Sequence, residues 1–396
     1  MKTKQIAELY AEYCIPVYNR LGIAAKKASG SWVWDQEGNR YLDLFPGWGV
    51  GALGHCHPAV VKRTTEQMKQ LIHVPNTFYH EPHARLGKEL IRRSFPGKIF
   101  LCNSGAEAVE AAIKLARKYG SGKRYEFIAM EKSFHGRTMG ALAATGQTKP
   151  KIDFMPMLDG FVHVPFNNFG AVERAVTPKT VAVMLELIQG EGGIHAASAD
   201  YVRSLRKLCD EKKLLLIFDE ISTGGGRTGT LFCYEQYGVT PDILLLAKGI
   251  AGGVPLGILV AGRHISDIWE KATHATTFGG NPLAAAAGLA VLETIRKEKL
   301  LINVKRQGAY LVKKLSAMRK KFPMIREIRG KGLMIGVQLN RPGAEVIKAA
   351  FKRRLLINCS QENVLRLYPA FTVTRQQIDL GLKILEEALK EAFSIP

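Results

Sequence analysis

Asp242-Ile243-Leu244-Leu245-Leu246-Ala247-Lys248-Gly249-Ile250-Ala251-Gly252-Gly253 is the stretch on which the fold turns. Its first half is a short apolar run, bounded by a carboxylate and a glycine-rich segment, and reads as a strand buried on both faces. A lysine placed where such a strand opens into a loop is desolvated, and desolvation lowers an amine's pKa toward that of a usable nucleophile. Lysines of this kind form Schiff bases with carbonyl groups. Taken alone, Lys248 reads as a loop lysine pointing at water. The surrounding chain reverses that reading.

Apolar runs of the same kind recur upstream at 99–102, 127–130, 181–185 and 214–218, alternating with helical stretches. Nearly continuous apolar strands separated by helices predict a mostly parallel sheet covered on both faces, an α/β domain. Before it, residues 32–44 alternate around Gly38-Asn39 and predict a hairpin. After Asn281-Pro282 come a long helical region from 283 to about 318, a strand at 333–339, a further helix, and short strands near 355–357 and 364–367. That mixed pattern predicts a smaller α+β domain. The expected division is an N-terminal segment, 1–45, joining the small domain; a large domain, 46–290; and a C-terminal small domain, 291–396.

Composition sets the bounds. With 396 residues, 46% of them apolar and 23% charged, the chain is an ordinary globular protein with room for a sizeable core. The apolar runs are too short to cross a bilayer. Met1-Lys2-Thr3-Lys4-Gln5 leads into a mixed polar helix with no apolar signal core, so a cytoplasmic location and no membrane partner are expected. The six cysteines are scattered and read as reduced core thiols. His55 and His57 flank Cys56 without a second ligand pair, and no metal is expected. The net charge of +21 invites a nucleic-acid reading. The cations, however, are spread over helices such as Lys313-Lys314 and Arg319-Lys320-Lys321, with no interleaved aromatics. They read as a solvated surface, and no nucleic-acid partner is expected.

Reactive residues stand at several strand ends, where open parallel sheets bind ligands. Cys102 is followed by Asn103-Ser104-Gly105-Ala106-Glu107-Ala108 and then a helical stretch; strand, Ser-Gly turn and helix make either an anion site or an ordinary N-cap serine. Phe218 leads into Asp219-Glu220, and a carboxylate there can hold a proton on a pyridine nitrogen or simply cap a helix. In Ser133-Phe134-His135-Gly136-Arg137-Thr138, Phe134 offers a ring to stack and Arg137 a fork for a carboxylate. Thr276-Thr277-Phe278-Gly279-Gly280-Asn281-Pro282 offers hydroxyls and loose backbone to a phosphate, or is a plain turn before a helix.

Together these residues resemble the class III aminotransferases. The likeness rests on Asn103 to Ala108, Phe134 to Thr138, Gln189-Gly190-Glu191-Gly192-Gly193, Phe218-Asp219-Glu220, Leu246-Ala247-Lys248-Gly249 and Thr277 to Pro282, and runs in order from about Trp32 to about Thr374. The resemblance implies fold type I, a large mostly parallel sheet of the seven-stranded type with a smaller α+β domain, and pyridoxal 5'-phosphate as cofactor. Within the class, Gly54-His55-Cys56-His57-Pro58 and His135 to Gly140 are most similar to members acting on N2-acetylornithine. The implied reaction moves the donor's terminal amino group to 2-oxoglutarate, giving N-acetylglutamate 5-semialdehyde and glutamate, in arginine biosynthesis. The alternatives are the same chemistry on ornithine, 4-aminobutyrate or an acylated lysine precursor.

By the same resemblance, Lys248 forms the Schiff base with the cofactor and moves the proton, and Asp219 pairs with the pyridine nitrogen. Phe134 stacks on the ring. Ser104, Gly105 and Ala106 hold the phosphate with Thr277 of the partner subunit, in a homodimer with shared active sites. Arg137, with Thr276 alongside, binds the donor's carboxylate. Glu191 and Arg366 form a switchable pair that opens to admit 2-oxoglutarate, letting one pocket take substrates of different charge pattern. The chain departs from the family in having Ile221-Ser222 where Val-Gln is usual; Ser222 is shorter, and its reach to the cofactor's phenolic oxygen is expected to need a water. Val109 and Thr276 are milder departures. Two other classes compete: a basic binding protein on a degenerate scaffold, against which Lys248, Asp219 and Arg137 speak, and a non-transaminating enzyme of the same cofactor.

Overall fold

The computed structural model describes residues 1–394; Ile395 and Pro396, the end of the expected small domain, lie outside the described residues. The chain divides into two compact units, Met1–His57 with Asn303–Pro396, and Pro58–Ile302.

In the first unit, strands β1 (Ala25–Ser29), β2 (Trp32–Asp35) and β3 (Arg40–Asp43) form an antiparallel meander. β2 and β3 are the predicted hairpin, with Trp32 opposite Leu42 and Gly38 at φ +87 in the turn. Glycine takes that backbone without strain. Asp35 closes the turn by accepting from the Asn39 backbone N–H at 2.7 Å and from Asn39 Nδ2 at 2.8 Å.

The second unit is built on β4 (Gly97–Cys102), β5 (Glu126–Met130), β6 (Phe161–Val164), β7 (Thr180–Leu185), β10 (Leu215–Asp219), β11 (Ile243–Leu246) and β12 (Gly257–Gly262), with a small ribbon of β8 (Ile188–Gln189) and β9 (His195–Ala196). The sheet has seven strands in the order β4-β12-β11-β10-β7-β5-β6. β6, β5, β7, β10 and β11 pair in parallel, whereas β12 runs antiparallel to both β11 and β4. The carboxyl ends of every strand but β12 therefore lie on one edge. Every residue of β7, β10 and β11 is buried, which is why those strands read as unbroken apolar runs. The helix Gly105–Tyr119 lies on the sheet through Ala108, Ala111, Ala112, Ile113, Leu115 and Ala116, packed with Val181, Met184, Ile217, Leu245 and Leu259 in one core. Its alanines bring helix and sheet close, and each large side chain buried there contributes about 1.5–3 kcal/mol.

The helical region after Asn281 is two helices, Pro282–Lys297 and Leu300–Lys321. Lys299, at φ +51, breaks them with a left-handed turn. The first unit then resumes with β13 (Ile325–Lys331), β14 (Met334–Leu339), β15 (Leu355–Leu356), β16 (Asn358–Ser360) and β17 (Val364–Leu367). Four of these form an antiparallel sheet, β13-β14-β17-β16, and β15 joins β3 in parallel. Among the described residues, no helix is long and apolar enough to cross a membrane. Lys313, Lys314, Arg319, Lys320 and Lys321 are exposed. Of the cysteines, Cys102, Cys209 and Cys233 are buried, but Cys14 and Cys56 are exposed, so the core-thiol reading holds for only part of the set.

Candidate active site

β10 and β11 pair in parallel with Asp219 opposite Leu245, so the two loops leave the sheet side by side. Asp219 is 3% exposed. Its Oδ1 accepts from the Ile221 backbone N–H at 3.0 Å, and its Oδ2 lies 2.6 Å from His135 Nδ1. A carboxylate only accepts, so the ring proton sits on Nδ1. His135 Nε2 is buried and has no hydrogen-bond partner among the described residues. The carboxylate is thus held in one orientation from two sides.

Lys248 follows β11, half-buried, with φ +48. A left-handed backbone costs a non-glycine residue about 1–3 kcal/mol, and such strain persists only where the surroundings impose it. Lys248 Nζ donates to Ser222 Oγ at 2.6 Å. The shortened side chain at position 222 therefore meets the lysine itself. Replacing Ser222 with alanine removes this acceptor. An ordinary hydrogen bond contributes about 0.5–1.5 kcal/mol and here fixes the direction of the amine, so capture of pyridoxal phosphate by the apo-protein is expected to slow about fivefold. Absorbance after mixing measures this, and an unchanged rate would show the contact to be idle.

Past β4, Ser104 caps the helix Gly105–Tyr119, its Oγ accepting from the Glu107 N–H at 3.1 Å. The N–H groups of Gly105 and Ala106 belong to the first turn, which a helix leaves without internal acceptors. A Cβ on Gly105 would lie 2.8 Å from Ile221 Cδ1, so this turn sits close against the loop after Asp219 and a larger residue would displace that side chain. Glu107 reaches back to the Asn103 N–H at 2.6 Å, and Asn103 Nδ2 donates to Thr276 Oγ1 at 3.1 Å. Thr276 is half-buried there and Thr277 is exposed beside it.

The loop after β5 is pinned from two directions. Glu110 Oε1 accepts from Thr138 Oγ1 and from the N–H groups of Gly140 and Ala141, at 2.6, 2.9 and 3.1 Å. Gly136, at φ +143, lets the loop approach the helix Gly105–Tyr119: a Cβ there would lie 3.0 Å from that of Ala106. Phe134 is half-buried, and the exposed Arg137 guanidinium lies 5.4 Å from the centre of its ring. The Phe134 N–H donates to Glu186 Oε1 at 2.9 Å, and the Gly190 N–H to Glu186 Oε2, also at 2.9 Å. Burial pushes the Glu186 carboxyl up to about 7. Glu191, next along, is half-buried.

The remaining expected residue, Arg366, is in the other unit. It is buried on β17, with its guanidinium 4.9 Å from the Phe45 ring centre and its Nε donating to Asn358 Oδ1 at 2.8 Å. Sequence reasoning missed Glu186, Glu110 and the His135 contact. The one available signal was the acid at 186 inside an otherwise apolar run.

Glu220 turns away from Asp219 and accepts from the N–H groups of Cys233 and Tyr234 at 2.6 and 2.7 Å. Burial pushes its carboxyl from 4.5 up to about 8, against the pull of those two bonds. Its raised folded-state value means that its contribution to stability is complete below about 4.5 and is lost as pH rises through about 8. The unfolding midpoint is expected to fall between pH 5 and 8, and the slope to flatten in Glu220→Gln. Thermal scans at stepped pH check this, and parallel slopes for the two proteins would refute it.

The residues fit pyridoxal phosphate. An amine, a buried and oriented carboxylate, an aromatic ring and a turn with free N–H donors share one sheet edge, and Cβ atoms on Gly105 and Gly136 would crowd that turn. Among the described residues no group of three or more His, Cys, Asp or Glu could hold a metal ion. The His55 ring is engaged with Asp43 at 2.8 Å.

Residues 15–389 match the family described as aminotransferase class-III. The acetylornithine aminotransferase of Caldanaerobacter subterraneus subsp. tengcongensis is 49% identical over 96% of this chain and 98% of its own length. That of Methanocaldococcus jannaschii is 44% identical over 99% of each. Among solved structures, an ornithine aminotransferase from Toxoplasma gondii superposes with a TM-score of 0.95 at 29% identity, covering 100% of this chain and 97% of that one. An N-acetylornithine aminotransferase from Stenotrophomonas maltophilia gives 0.85 at 34%, covering 98% and 100%.

Proposed function

Since the chain belongs to the class-III aminotransferases and is a pyridoxal-phosphate-dependent transaminase of fold type I, we propose that it moves the terminal amino group of N2-acetylornithine to 2-oxoglutarate. The observation that most supports this donor is the 44–49% identity, over nearly whole chains, to acetylornithine aminotransferases. The ornithine enzyme of Toxoplasma gondii shares the fold closely but only 29% of its residues. The products are N-acetylglutamate 5-semialdehyde and glutamate, and the setting is arginine biosynthesis in the cytoplasm.

When bound, pyridoxal phosphate supplies a carbonyl that condenses with amines and a ring that accepts the electron pair left by a departing proton. The protein's own residues do the rest. Lys248 Nζ holds the carbonyl end and, once displaced by the donor, takes the proton from the carbon bearing the reacting nitrogen and returns it nearby. Asp219, oriented by His135, keeps a proton on the pyridine nitrogen. Phe134 covers one ring face and excludes water. Ser104 and the N–H groups of Gly105 and Ala106 take the phosphate, joined by the partner subunit's Thr277. Ser222 serves the cofactor's phenolic side by way of its contact with Lys248.

Arg137 grips the donor's α-carboxylate as a bidentate fork, with Thr276 alongside. Glu191 acts as the switch carboxylate, and Arg366 receives the second carboxylate of 2-oxoglutarate. The homodimer accounts for Phe78, Tyr79, Met139 and Phe278, large apolar side chains exposed on the second unit. A steady-state panel tests the donor. N2-acetylornithine is expected to exceed ornithine and 4-aminobutyrate in kcat/KM by at least about tenfold, the discrimination that roughly 1.4 kcal/mol of transition-state binding provides. A higher value for either rival would reassign the substrate.

A further inference from the structure

We propose that Glu186 is a positioning residue whose carboxylate clasps the loop carrying Phe134 to the loop carrying Glu191, so that the ring face and the switch carboxylate are set together. This rests on the function proposed above and adds a residue that function does not use.

The clasp is a matter of geometry. β5 and β7 are neighbours in the sheet, and their loops leave the same edge. Glu186 stands just past β7, 4% exposed, and spends one oxygen on each loop: Oε1 on the Phe134 N–H and Oε2 on the Gly190 N–H. Gly190 immediately precedes Glu191. The loops are held together at a second point, where Gln189 Nε2 donates to the Glu131 carbonyl at 2.8 Å. They also approach closely, since a Cβ on Gly192 would lie 2.7 Å from the Lys132 carbonyl oxygen.

The choice of side chain follows from the donors. Two N–H groups from different loops need two acceptor oxygens on one side chain, and of the uncharged isosteres none has two. Glutamine would present an NH2 to one of the N–H groups and leave it buried and unpaired. Aspartate keeps both oxygens but is a methylene short of spanning the gap. Among the described residues no cation forms an ion pair with Glu186, so the fold keeps a costly buried carboxyl group for its bonds to backbone alone.

The test uses Glu186→Gln and Glu186→Asp. Cofactor affinity is read by titrating apo-protein with pyridoxal phosphate and following protein fluorescence. KM for N2-acetylornithine and for 2-oxoglutarate is read separately on the loaded enzyme. Each variant is expected to raise the cofactor's Kd at least tenfold, through Phe134, and to change the ratio of the two KM values at least fivefold, through Glu191. The unfolding midpoint should stay within a few degrees of the parent's. If one variant does not fold, the other carries both readouts. A lower midpoint with unchanged Kd and KM ratio would make Glu186 merely structural, and movement of only one readout would refute the clasp. The Kd measurement needs no substrate, so it stands even if the proposed donor is wrong.

Discussion

Lys248→Ala is expected to leave a folded protein that turns over no donor, with kcat reduced by roughly ten-thousandfold or more. The fold survives because the side chain is only half-buried and stands past the apolar core of β11. The activity does not, because one amine has two tasks. In the proposed mechanism it holds the cofactor's carbonyl in readiness for exchange with the donor, and it then moves the proton. A positioned acid–base group alone contributes about 10²–10⁴-fold, and loss of the covalent attachment adds to that. Rapid mixing of the loaded variant with N2-acetylornithine checks the expectation. Turnover within tenfold of the parent would remove Lys248 from the centre of the site.

Asp219→Asn should cost about 10²–10⁴-fold in kcat while preserving the shape of the pocket. The carboxylate is almost fully buried and held by His135 Nδ1 and the Ile221 N–H. Asparagine can keep one of these bonds but carries no charge to stabilise a proton on a pyridine nitrogen. Breaking a buried charge pair from one side costs about 3–5 kcal/mol, and each 1.36 kcal/mol is tenfold in rate. The loss should fall on kcat more than on KM, because the proton matters most when charge builds on the ring. A variant within tenfold of the parent would mean that the proton is held by another group.

Much of this was legible in the sequence because strand ends can be read locally. The runs at 99–102, 127–130, 181–185, 214–218 and 243–247 are strands, and the chemistry-bearing residues follow them. β6 was not read because it lies at the sheet edge and shows intermediate and exposed residues instead of an apolar run. β12 was not read either; it is apolar throughout, and its antiparallel direction depends on pairing with β11 and β4, which no local pattern encodes. The same limit applies to the site. Lys248 and Asp219 declare themselves by position, whereas Glu186 acquires its meaning from the Phe134 N–H, 52 residues away. Glu110 likewise serves a loop about 30 residues on. The Ser222 substitution was visible in the sequence. Its contact with Lys248 required the two strands to be neighbours.

The most direct measurement is a single-turnover absorbance experiment on the loaded enzyme, offering N2-acetylornithine without keto acid and then adding 2-oxoglutarate. The expected result is fast loss of the cofactor's absorbance band with the donor and its full return with the keto acid, establishing donor, acceptor and two-stage transfer together. A band that ornithine or 4-aminobutyrate discharges faster would contradict the assigned donor, and a band that no amine discharges would contradict the transaminase site itself.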